Sequence, residues 1–568
     1  MTFTHLVMAI LLLGIFAVFL IWPIFQVVKA GFQTKAHRFT FDYVWLIFRD
    51  PELVRGLWHA VGIAVSVTIL TALIAVPLAL LTVRYEFIGR KLLGGLLLVP
   101  LVLPPFVGAI GLRLVLGRFG PLTQLLHAGG GMGIDWLNRY KIVGIIIVEA
   151  LHLYPIILLN VQGALANTDP AMQQAAANLG ADRWTIFRKI TLPLMRPGLF
   201  AGCTLTLIWS FTELGTPLIF DYYTVTPVQV FKQITEVSDN PLPYALVVVM
   251  LLVSVGLYII GKVVFGRSYD AATTKGSVAE SAIKLPWYKG LAAAGCVGFV
   301  FLLAVLPHVS VVLTSLSGTG AWYRSIVPKS YTLAHYSQGL SDHLAMSSVL
   351  NSIEYASLAT VLAVVVGLAA AVVIVRSSVP GRALIDTLAM LPLAVPGLVL
   401  AFGYLAISIS LKQKYPGAPW VKLLDVQERP TLLLVFAYAA RRMPYVVRAA
   451  VAGLQQTPRD LELAAANLGA PRWTVLKRIT IPLILANLIA GALLSFAFAM
   501  LEVSDSLVLA QKADYYPITR AILDLSQRLG DGIYIASALG VWAMVLLVLT
   551  ILSANSLLGK KMGAVFRV

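Results

Sequence analysis

Charged residues and cysteines are scarce in this sequence. Only 12% of its 568 residues are charged, and just two are cysteines, Cys203 and Cys296. Both cysteines lie in apolar stretches, where a thiol packs as a small apolar side chain, so we expect no disulfide framework. The sequence contains no zinc motif, catalytic triad or nucleotide-binding loop in a suitable context. We therefore predict a protein without enzymatic activity of its own and without catalytic or cofactor-binding residues.

Apolar residues make up most of the chain. They account for 59% of it, and the mean hydropathy is +0.86. A helix needs roughly 20 apolar residues to cross a bilayer, and runs of that length recur between short polar stretches. We predict an all-α membrane protein with about twelve transmembrane helices. The predicted spans begin at about residues 5, 58, 92, 141, 194, 241, 288, 347, 383, 430, 482 and 533.

The formal net charge is +17, but the basic residues are distributed among many loops. A nucleic-acid-binding protein would gather them in one polar domain, so we do not expect a nucleic-acid partner. The positive-inside rule instead predicts that the basic loops and both termini are cytoplasmic. The first span lacks a preceding basic segment, and we interpret it as a retained helix. The basic residues of the predicted inner loops are Arg84, Arg90, Lys91, Arg183, Arg188, Lys189, Arg376, Arg382, Arg472, Lys477, Arg478, Lys560 and Lys561.

One polar segment occurs twice. AAANLGADRWTIFRKITLPL, residues 175–194, recurs as AAANLGAPRWTVLKRITIPL, residues 464–483, and fourteen of the twenty positions are identical. A second pair of segments shares two prolines and a glycine, namely Pro100, Pro104 and Gly111 with Pro392, Pro396 and Gly403. The chain is therefore predicted to contain two homologous halves of six spans each, in the same membrane orientation. We predict a first half over residues 1–266, a cytoplasmic linker over 267–286 and a second half over 287–568.

The repeated segment predicts a helix, a tight turn and a second short helix. The alanine run favours the first helix, and Gly180 or Gly469 permits the turn. Pro193 or Pro482 then begins the next span. These loops, at about residues 168–193 and 457–482, fall on the cytoplasmic side between the fourth and fifth spans of each half. Binding of lipid headgroups by a basic interfacial helix is the alternative interpretation.

The repeat also resembles a known motif. Its spacing of two alanines, a glycine, an isoleucine and a proline is similar to the EAA loop in the membrane subunits of bacterial ATP-binding-cassette (ABC) importers. The sequence departs from that motif at the leading glutamate, which is Gln174 in one copy and Leu463 in the other, with Glu462 one position early. Ile481 also replaces the usual leucine. The two fused halves resemble the ferric-iron-type branch of the type I importers.

This resemblance implies a permease with two coupling helices, each docking on one copy of a cytoplasmic ATPase subunit. ATP and magnesium would bind those subunits, and no cofactor would bind this chain. A solute-binding protein outside the bacterial inner membrane would deliver the cargo, most simply ferric iron. The alternatives are a phosphonate such as 2-aminoethylphosphonate, a phosphorylated small molecule, or an ion-gradient-driven secondary transporter. The residues implied in coupling are Ala175, Ala176, Gly180, Arg183, Ile190, Pro193, Ala464, Ala465, Gly469, Arg472, Ile479 and Pro482.

Acidic residues within predicted spans are candidates for the translocation pathway. Glu213 and Glu502 occupy equivalent positions about twenty residues into the fifth and eleventh spans, towards the outer side of the membrane. A carboxylate is costly there and tends to face a cavity or a partner, so we predict that both, with Asp505, line the pathway. A structural cap or an interhelical hydrogen bond is the alternative.

Other polar residues interrupt the fourth and tenth predicted spans. They are Glu149, His152, Arg441 and Arg442. Ion pairing between helices or snorkelling towards the cytoplasm is favoured over substrate contact for these residues. The prolines of the third and ninth spans either expose backbone groups to a cavity or kink the helix for packing.

Overall fold

The structure is a computed structural model that describes residues 3–34, 38–128, 136–166, 171–237, 240–265 and 283–558. Most of the predicted linker, the first residues of the first coupling loop, and Lys560 and Lys561 lie outside these ranges.

Helices account for most of the described residues. The helices before the linker are α1 Phe3–Phe16, α2 Trp22–Gly31, α3 Asp42–Arg49, α4 Pro51–Arg84, α5 Arg90–Leu96, α6 Val99–Val102, α7 Pro105–Leu116, α8 Pro121–Ala128, α9 Trp136–Ala166, α10 Ala171–Asn178, α11 Arg183–Ile186, α12 Leu192–Phe211, α13 Gly215–Ile219, α14 Thr226–Lys232 and α15 Leu242–Phe265.

The helices after the linker are α16 Trp287–Leu316, α17 Ala334–Ser341, α18 His343–Arg376, α19 Arg382–Ala394, α20 Gly397–Lys414, α21 Thr431–Gln456, α22 Asp460–Asn467, α23 Arg472–Val475, α24 Ile481–Met500, α25 Ser504–Leu509, α26 Ile518–Gln527 and α27 Gly532–Leu558. Short 3₁₀ turns cover Ile234–Glu236, Val421–Leu424 and Ala513–Tyr515, and π-helical turns cover Ala17–Ile21, Phe187–Thr191 and Leu476–Thr480. Strands β1 Tyr85–Glu86 and β2 Ile283–Lys284 pair in parallel.

The predicted membrane spans are confirmed. Among the described residues, ten helices are long and apolar enough to cross a bilayer, and α19 with α20 forms an eleventh span bent by 101°. The ten are His5–Gly31, Pro51–Arg84, Pro105–Leu126, Arg139–Ala166, Arg183–Phe211, Leu242–Val263, Trp287–Leu316, His343–Arg376, Arg472–Met500 and Gly532–Thr550. The third span begins later than predicted because α5 and α6 form separate short helices before it.

The remaining predicted span corresponds to α21. This helix has 26 residues, enough to cross a bilayer, but it carries three arginines, at positions 441, 442 and 448. Most of its apolar residues are buried in the protein. A helix shielded from lipid by its neighbours can hold charged groups where a lipid-facing helix cannot, provided that those groups are paired.

The third and ninth spans are both broken at the second of their two prolines. Pro104 separates α6 from α7, and Pro396 separates α19 from α20, with extended backbone at each position or just before it. The first proline of each pair, Pro100 or Pro392, lies inside a helix. A break here follows from the missing N–H and the steric restriction that proline places on the residue before it.

The chain forms two compact units, each built from both sequence halves. Of the described residues, those within 1–51, 229–251 and 333–565 form one unit, and those within 52–228 and 252–332 form the other. The first span of each half thus packs with the core of the other half: α1 and α2 belong to the unit that contains α18 to α27, and α16 belongs to the unit that contains α4 to α13. The predicted halves describe the sequence repeat, whereas these units describe the packing.

Equivalent close contacts hold both exchanged spans. In the unit with residues 333–565, a Cβ on Gly403 would fall within 2.6 Å of the Pro23 carbonyl carbon. In the other unit, a Cβ on Gly111 would overlap the Pro307 carbonyl group. Small residues let membrane helices approach this closely, and packing contacts of this kind drive helix association in lipid.

Hydrogen bonds satisfy carbonyl groups that the prolines leave without a helical partner. Pro23 has no N–H to offer the Phe19 carbonyl, and the Tyr404 hydroxyl donates to it at 2.6 Å. Pro104 likewise cannot donate to the Pro100 carbonyl, and His152 Nδ1 does so at 2.8 Å. In each unit, a side chain from a neighbouring helix therefore replaces the hydrogen bond that a proline cannot donate.

We expect Gly111→Ala to lower the free energy of unfolding by about 1–3 kcal/mol, because its methyl group forces α7 and α16 apart. Thermal unfolding in detergent, followed by circular dichroism, measures the change. Gly298→Ala in α16 is the control, since a Cβ there meets nothing within 4 Å and alanine favours a helix. Equal destabilisation by the two substitutions would contradict the close approach at Gly111.

Candidate functional site

The first repeated segment forms a helix that ends in a glycine turn. Helix α10 is followed by Gly180, whose φ is +85°. The Gly180 N–H donates to the Ala177 carbonyl at 3.0 Å, and the Ala181 N–H donates to the Ala176 carbonyl at 3.0 Å. This pair of bonds defines a Schellman motif, which requires the left-handed conformation that glycine adopts at little cost.

The second repeated segment has the same geometry. Gly469 follows α22 with a φ of +83°. The Gly469 N–H donates to the Ala466 carbonyl at 3.0 Å, and the Ala470 N–H donates to the Ala465 carbonyl at 3.1 Å. A Cβ would meet nothing within 4 Å at either glycine, so the conformation, not crowding, explains the residue type at both positions.

The short helix after each glycine continues into the next span. Helix α11 leads through the π-helical turn Phe187–Thr191 into α12, and α23 leads through Leu476–Thr480 into α24. The predicted start of the span at Pro193 or Pro482 is thus only the first turn of α12 or α24, and no loop separates the basic helix from the membrane helix.

The two copies begin this second helix differently. In the first, the Asp182 carboxylate accepts hydrogen bonds from the backbone N–H groups of Trp184 at 3.0 Å and Thr185 at 3.3 Å. The Thr185 hydroxyl also donates to Asp182, and these hydrogen bonds lower the pKa of its carboxyl group. In the second copy Pro471 takes this position, where its fixed φ suits a helix start.

Each turn exposes an apolar tip. Leu179 and Leu468 are 88% and 89% exposed, and Trp184 and Trp473 are 66% and 70% exposed. In both copies the first alanine of the motif, Ala175 or Ala464, is exposed, and so is the arginine, Arg183 or Arg472. An apolar surface rimmed by basic residues is typical of a protein interaction site.

An ion pair attaches α22, the first helix of the second repeated segment, to the eighth span. The guanidinium Nε of Arg376, the last residue of α18, lies 3.1 Å from the Glu462 carboxylate in α22. Arg376 Nη2 donates to the Thr457 carbonyl at 3.0 Å, and the Thr480 hydroxyl donates to Glu462 at 3.2 Å. Both charged side chains are about 85% buried, at 12% and 15% exposure. Glu462 is the acid that stands one position early in the sequence motif.

The first coupling segment uses the equivalent arginine. Arg84 ends α4 as Arg376 ends α18, and its Nη2 donates to the Thr191 hydroxyl at 2.8 Å. Thr191 is equivalent to Thr480, but the position equivalent to Glu462 is Gln173, which carries no charge.

A buried ionic cluster joins α21 to the end of the eleventh span. Arg441 Nη1 lies 2.5 Å from the Glu502 carboxylate and 3.4 Å from the Asp505 carboxylate, and Arg442 pairs with the other oxygen of Glu502. Glu502 and Asp505 are 3% and 0% exposed. Two guanidinium groups and two carboxyl groups therefore contact one another inside the unit, which offsets part of the cost of burying them.

Neighbouring groups fix the position of this cluster. The Glu502 carbonyl accepts hydrogen bonds from the Ser506 hydroxyl and, at 2.7 Å, from the Thr519 hydroxyl. Gly397, the first residue of α20, leaves room for the Arg441 guanidinium, which a Cβ there would strike. The glycine that follows the break at Pro396 is thus what allows the Arg441 guanidinium to pack there.

The equivalent positions in the first half have different chemistry. His152 replaces Arg441, and Thr216 replaces Asp505. Glu213, the equivalent of Glu502, is half-buried and accepts hydrogen bonds from the N–H groups of Gly215 at 3.1 Å and Thr216 at 3.2 Å. It caps α13, which is the structural alternative weighed from the sequence. Glu149 is buried and accepts a hydrogen bond from Ser210.

The structure thus brings Glu502 and Asp505 together and leaves Glu213 in the other unit as a helix cap. The sequence did not point to Tyr404 or to the Arg376–Glu462 pair, because each joins residues more than 80 positions apart without a motif. No group of three or more metal-ligating side chains occurs in the part of the chain that the structure describes.

A multi-span helical fold, repeated in sequence and carrying two exposed glycine-turn segments, is typical of a membrane transport subunit. The profile of the family described as binding-protein-dependent transport system inner membrane component matches residues 68–268 and again residues 363–561. These matches cover more than half of the chain, and the protein belongs to this family of ABC importer permeases. It carries two copies of the family's domain.

The individual relatives include ferric and molybdenum transport permeases. The chain is 28% identical over 497 residues to a putative ferric transport system permease protein of Haemophilus influenzae, covering 86% of this chain and 75% of that protein. It is 27% identical over 554 residues to a ferric transport system permease protein of Actinobacillus pleuropneumoniae, covering 95% and 76%. A molybdenum transport system permease protein of Escherichia coli is 34% identical over 179 residues, covering 31% of this chain and 74% of that protein.

We expect Glu502→Gln to lower the free energy of unfolding by about 3 kcal/mol, because it leaves Arg441 and Arg442 with one buried carboxylate between them. The matched control is Glu213→Gln at the equivalent position, where only a half-buried cap is weakened and the loss is about 1 kcal/mol. Thermal unfolding of both variants in detergent measures the difference. A loss at position 213 as large as that at position 502 would argue against the ionic role.

Proposed function

We propose that this protein is the translocation subunit of an ATP-driven importer and that its two glycine-turn segments dock on two copies of a cytoplasmic ATPase subunit. The observation that carries the proposal is the duplicated exposed tip, with the same turn geometry and nearly the same exposure of leucine and tryptophan in both copies. Family membership supports the same role. Lipid binding alone would need charge and amphipathicity but no such fixed turn.

The docking contact is a helix lying in a groove of the partner. Exposed alanines allow close approach, the leucine and tryptophan supply apolar area, and the arginines set the register. Of the coupling residues predicted from the sequence, the alanines, glycines and arginines belong to this proposed surface. The other four, Ile190, Pro193, Ile479 and Pro482, lie where each segment enters α12 or α24. ATP and magnesium bind the ATPase subunits, so closure of the ATPase dimer moves both segments and, through the continuous helices, α12 and α24.

The orientation follows from the docking. The coupling segments face the cytoplasm, and an even number of spans places both termini on that side of the bacterial inner membrane. A solute-binding protein then delivers the cargo from the opposite side. The alternating states of the two halves carry it across, without a cofactor in this chain.

Glu213, Glu502 and Asp505 line the outer part of the pathway in this proposal. Glu502 is buried and Glu213 is half-buried, and each has the partners that a carboxylate in a membrane helix needs: Arg441 for Glu502, and the Gly215 and Thr216 N–H groups for Glu213. Opening the passage changes those partners.

Ferric iron is the proposed cargo. The support is the similarity to two ferric transport permeases over most of the chain, whereas the similarity to the molybdenum permease covers less than a third of it. A phosphonate or a phosphorylated small molecule is the second candidate from the sequence. The ion-driven carrier is set aside because the chain belongs to a binding-protein-dependent family.

We expect Gly180→Val with Gly469→Val to abolish co-purification of the ATPase subunit, because valine disfavours the left-handed turn that aims the docking tip. Affinity purification of the tagged permease with its co-expressed ATPase measures this. Gly417→Val is the control: Gly417 also has a positive φ, +81°, and open space, but lies outside the coupling segments. Intact assembly in the double variant would overturn the docking assignment.

We expect proteoliposomes containing the permease, ATPase and binding protein to take up ⁵⁵Fe(III) on addition of ATP, and to take up neither 2-aminoethylphosphonate nor molybdate. Uptake of one of the other solutes in place of iron would contradict ferric iron as the cargo.

Glu213→Gln should lower the initial rate of uptake in the same proteoliposomes about tenfold, because the carboxylate lines the proposed pathway. An unchanged initial rate of uptake in Glu213→Gln would show that Glu213 does not line the pathway.

A further inference from the structure

The second coupling helix has a connection to the membrane domain besides the chain itself. Helix α22 is linked in sequence to α21 through Thr457 and to α24 through α23. The Arg376–Glu462 pair adds a third link, to the end of the 34-residue helix α18. One guanidinium thus binds both the coupling helix and the Thr457 carbonyl at the end of α21.

The geometry of this pair suits a rigid joint. Arg376 Nε contacts both oxygens of the Glu462 carboxylate, and the Thr480 hydroxyl donates to one of them, so two partners on different elements restrict its rotation. The low exposure of both charged groups limits the competition from water that weakens surface ion pairs. Arg376 also terminates its helix, where a positive charge interacts favourably with the helix dipole.

We propose that Arg376 and Glu462 are positioning residues that make α22 and the cytoplasmic end of α18 move as one body. The inference rests on the proposed ATPase docking, because a joint at α22 has a mechanical role only if a partner moves that helix. When the partner displaces α22, the motion then reaches the eighth span directly and not only α24.

The first half supplies a natural comparison. Gln173 occupies the position of Glu462, so the first coupling helix cannot form the same charged joint, although Arg84 occupies the position of Arg376. The two coupling helices are then mechanically different, even though their exposed tips match. The second one drives two spans, α18 and α24.

The joint is tested on the full-length permease in lipid nanodiscs, without partners. Cys203 and Cys296 are replaced by serine, and spin labels are placed on cysteines at the exposed positions Asp460 in α22 and Ser378 just beyond α18. We expect one narrow distance distribution by dipolar electron paramagnetic resonance. Glu462→Gln should broaden it, whereas Gln173→Glu should leave it unchanged. An equally narrow distribution in Glu462→Gln would overturn the joint.

The mechanical role is tested by charge exchange in the complex with the ATPase. Arg376→Glu and Glu462→Arg alone should each lower ATP-dependent ⁵⁵Fe(III) uptake about tenfold while the ATPase still co-purifies and hydrolyses ATP. The double variant should restore both uptake and the narrow distance distribution. The mechanical role would be refuted if the single variants kept full uptake while the double variant restored the narrow distance distribution. Failure of the wild-type chain to bind the ATPase would instead refute the proposed function and leave the joint intact.

Discussion

Backbone groups inside a bilayer must find partners within the protein, and this constraint governs the construction of both units. Proline removes an N–H and leaves a carbonyl unpaired one turn earlier. Tyr404 satisfies the carbonyl released by Pro23, and His152 satisfies the one released by Pro104. Because each donor lies on a different helix from its acceptor, the repair of a broken helix is also a contact between helices.

Glycine completes the same contacts. Gly403 faces Pro23 and Gly111 faces Pro307, so an exchanged span meets the glycine-bearing helix at equivalent points of the two units. The prolines and glycines thus act together: a proline bends or interrupts a helix, and a glycine lets the neighbouring helix pack closely against it. The ionic cluster depends on the same feature, because Gly397 makes room for Arg441.

Much of this could be predicted from the sequence, and the exceptions have physical reasons. Apolar runs predicted the spans, and the repeat predicted the two glycine turns, because both signals are local. The exchange of the first spans could not be predicted, since a span that is apolar on every side does not identify its neighbour. Glu462 shows the limit of a motif: the expected acid is absent from position 463, yet an acid one residue earlier makes a defined contact. For Arg441 and Arg442, ion pairing, snorkelling and substrate contact are the interpretations that the sequence allows, and the structure shows the ion pairs.

The exchange of first spans has a consequence for biosynthesis. Phe19 and Tyr404, which share a hydrogen bond, are 385 residues apart. A ribosome adding 5–20 residues per second needs about 20–80 s to make that length of chain. During most of this time the first span resides in the membrane before α18 and α20 exist, which its apolar surface permits because lipid is an adequate temporary neighbour. The helix that is synthesised first is therefore among the last to acquire its native contacts.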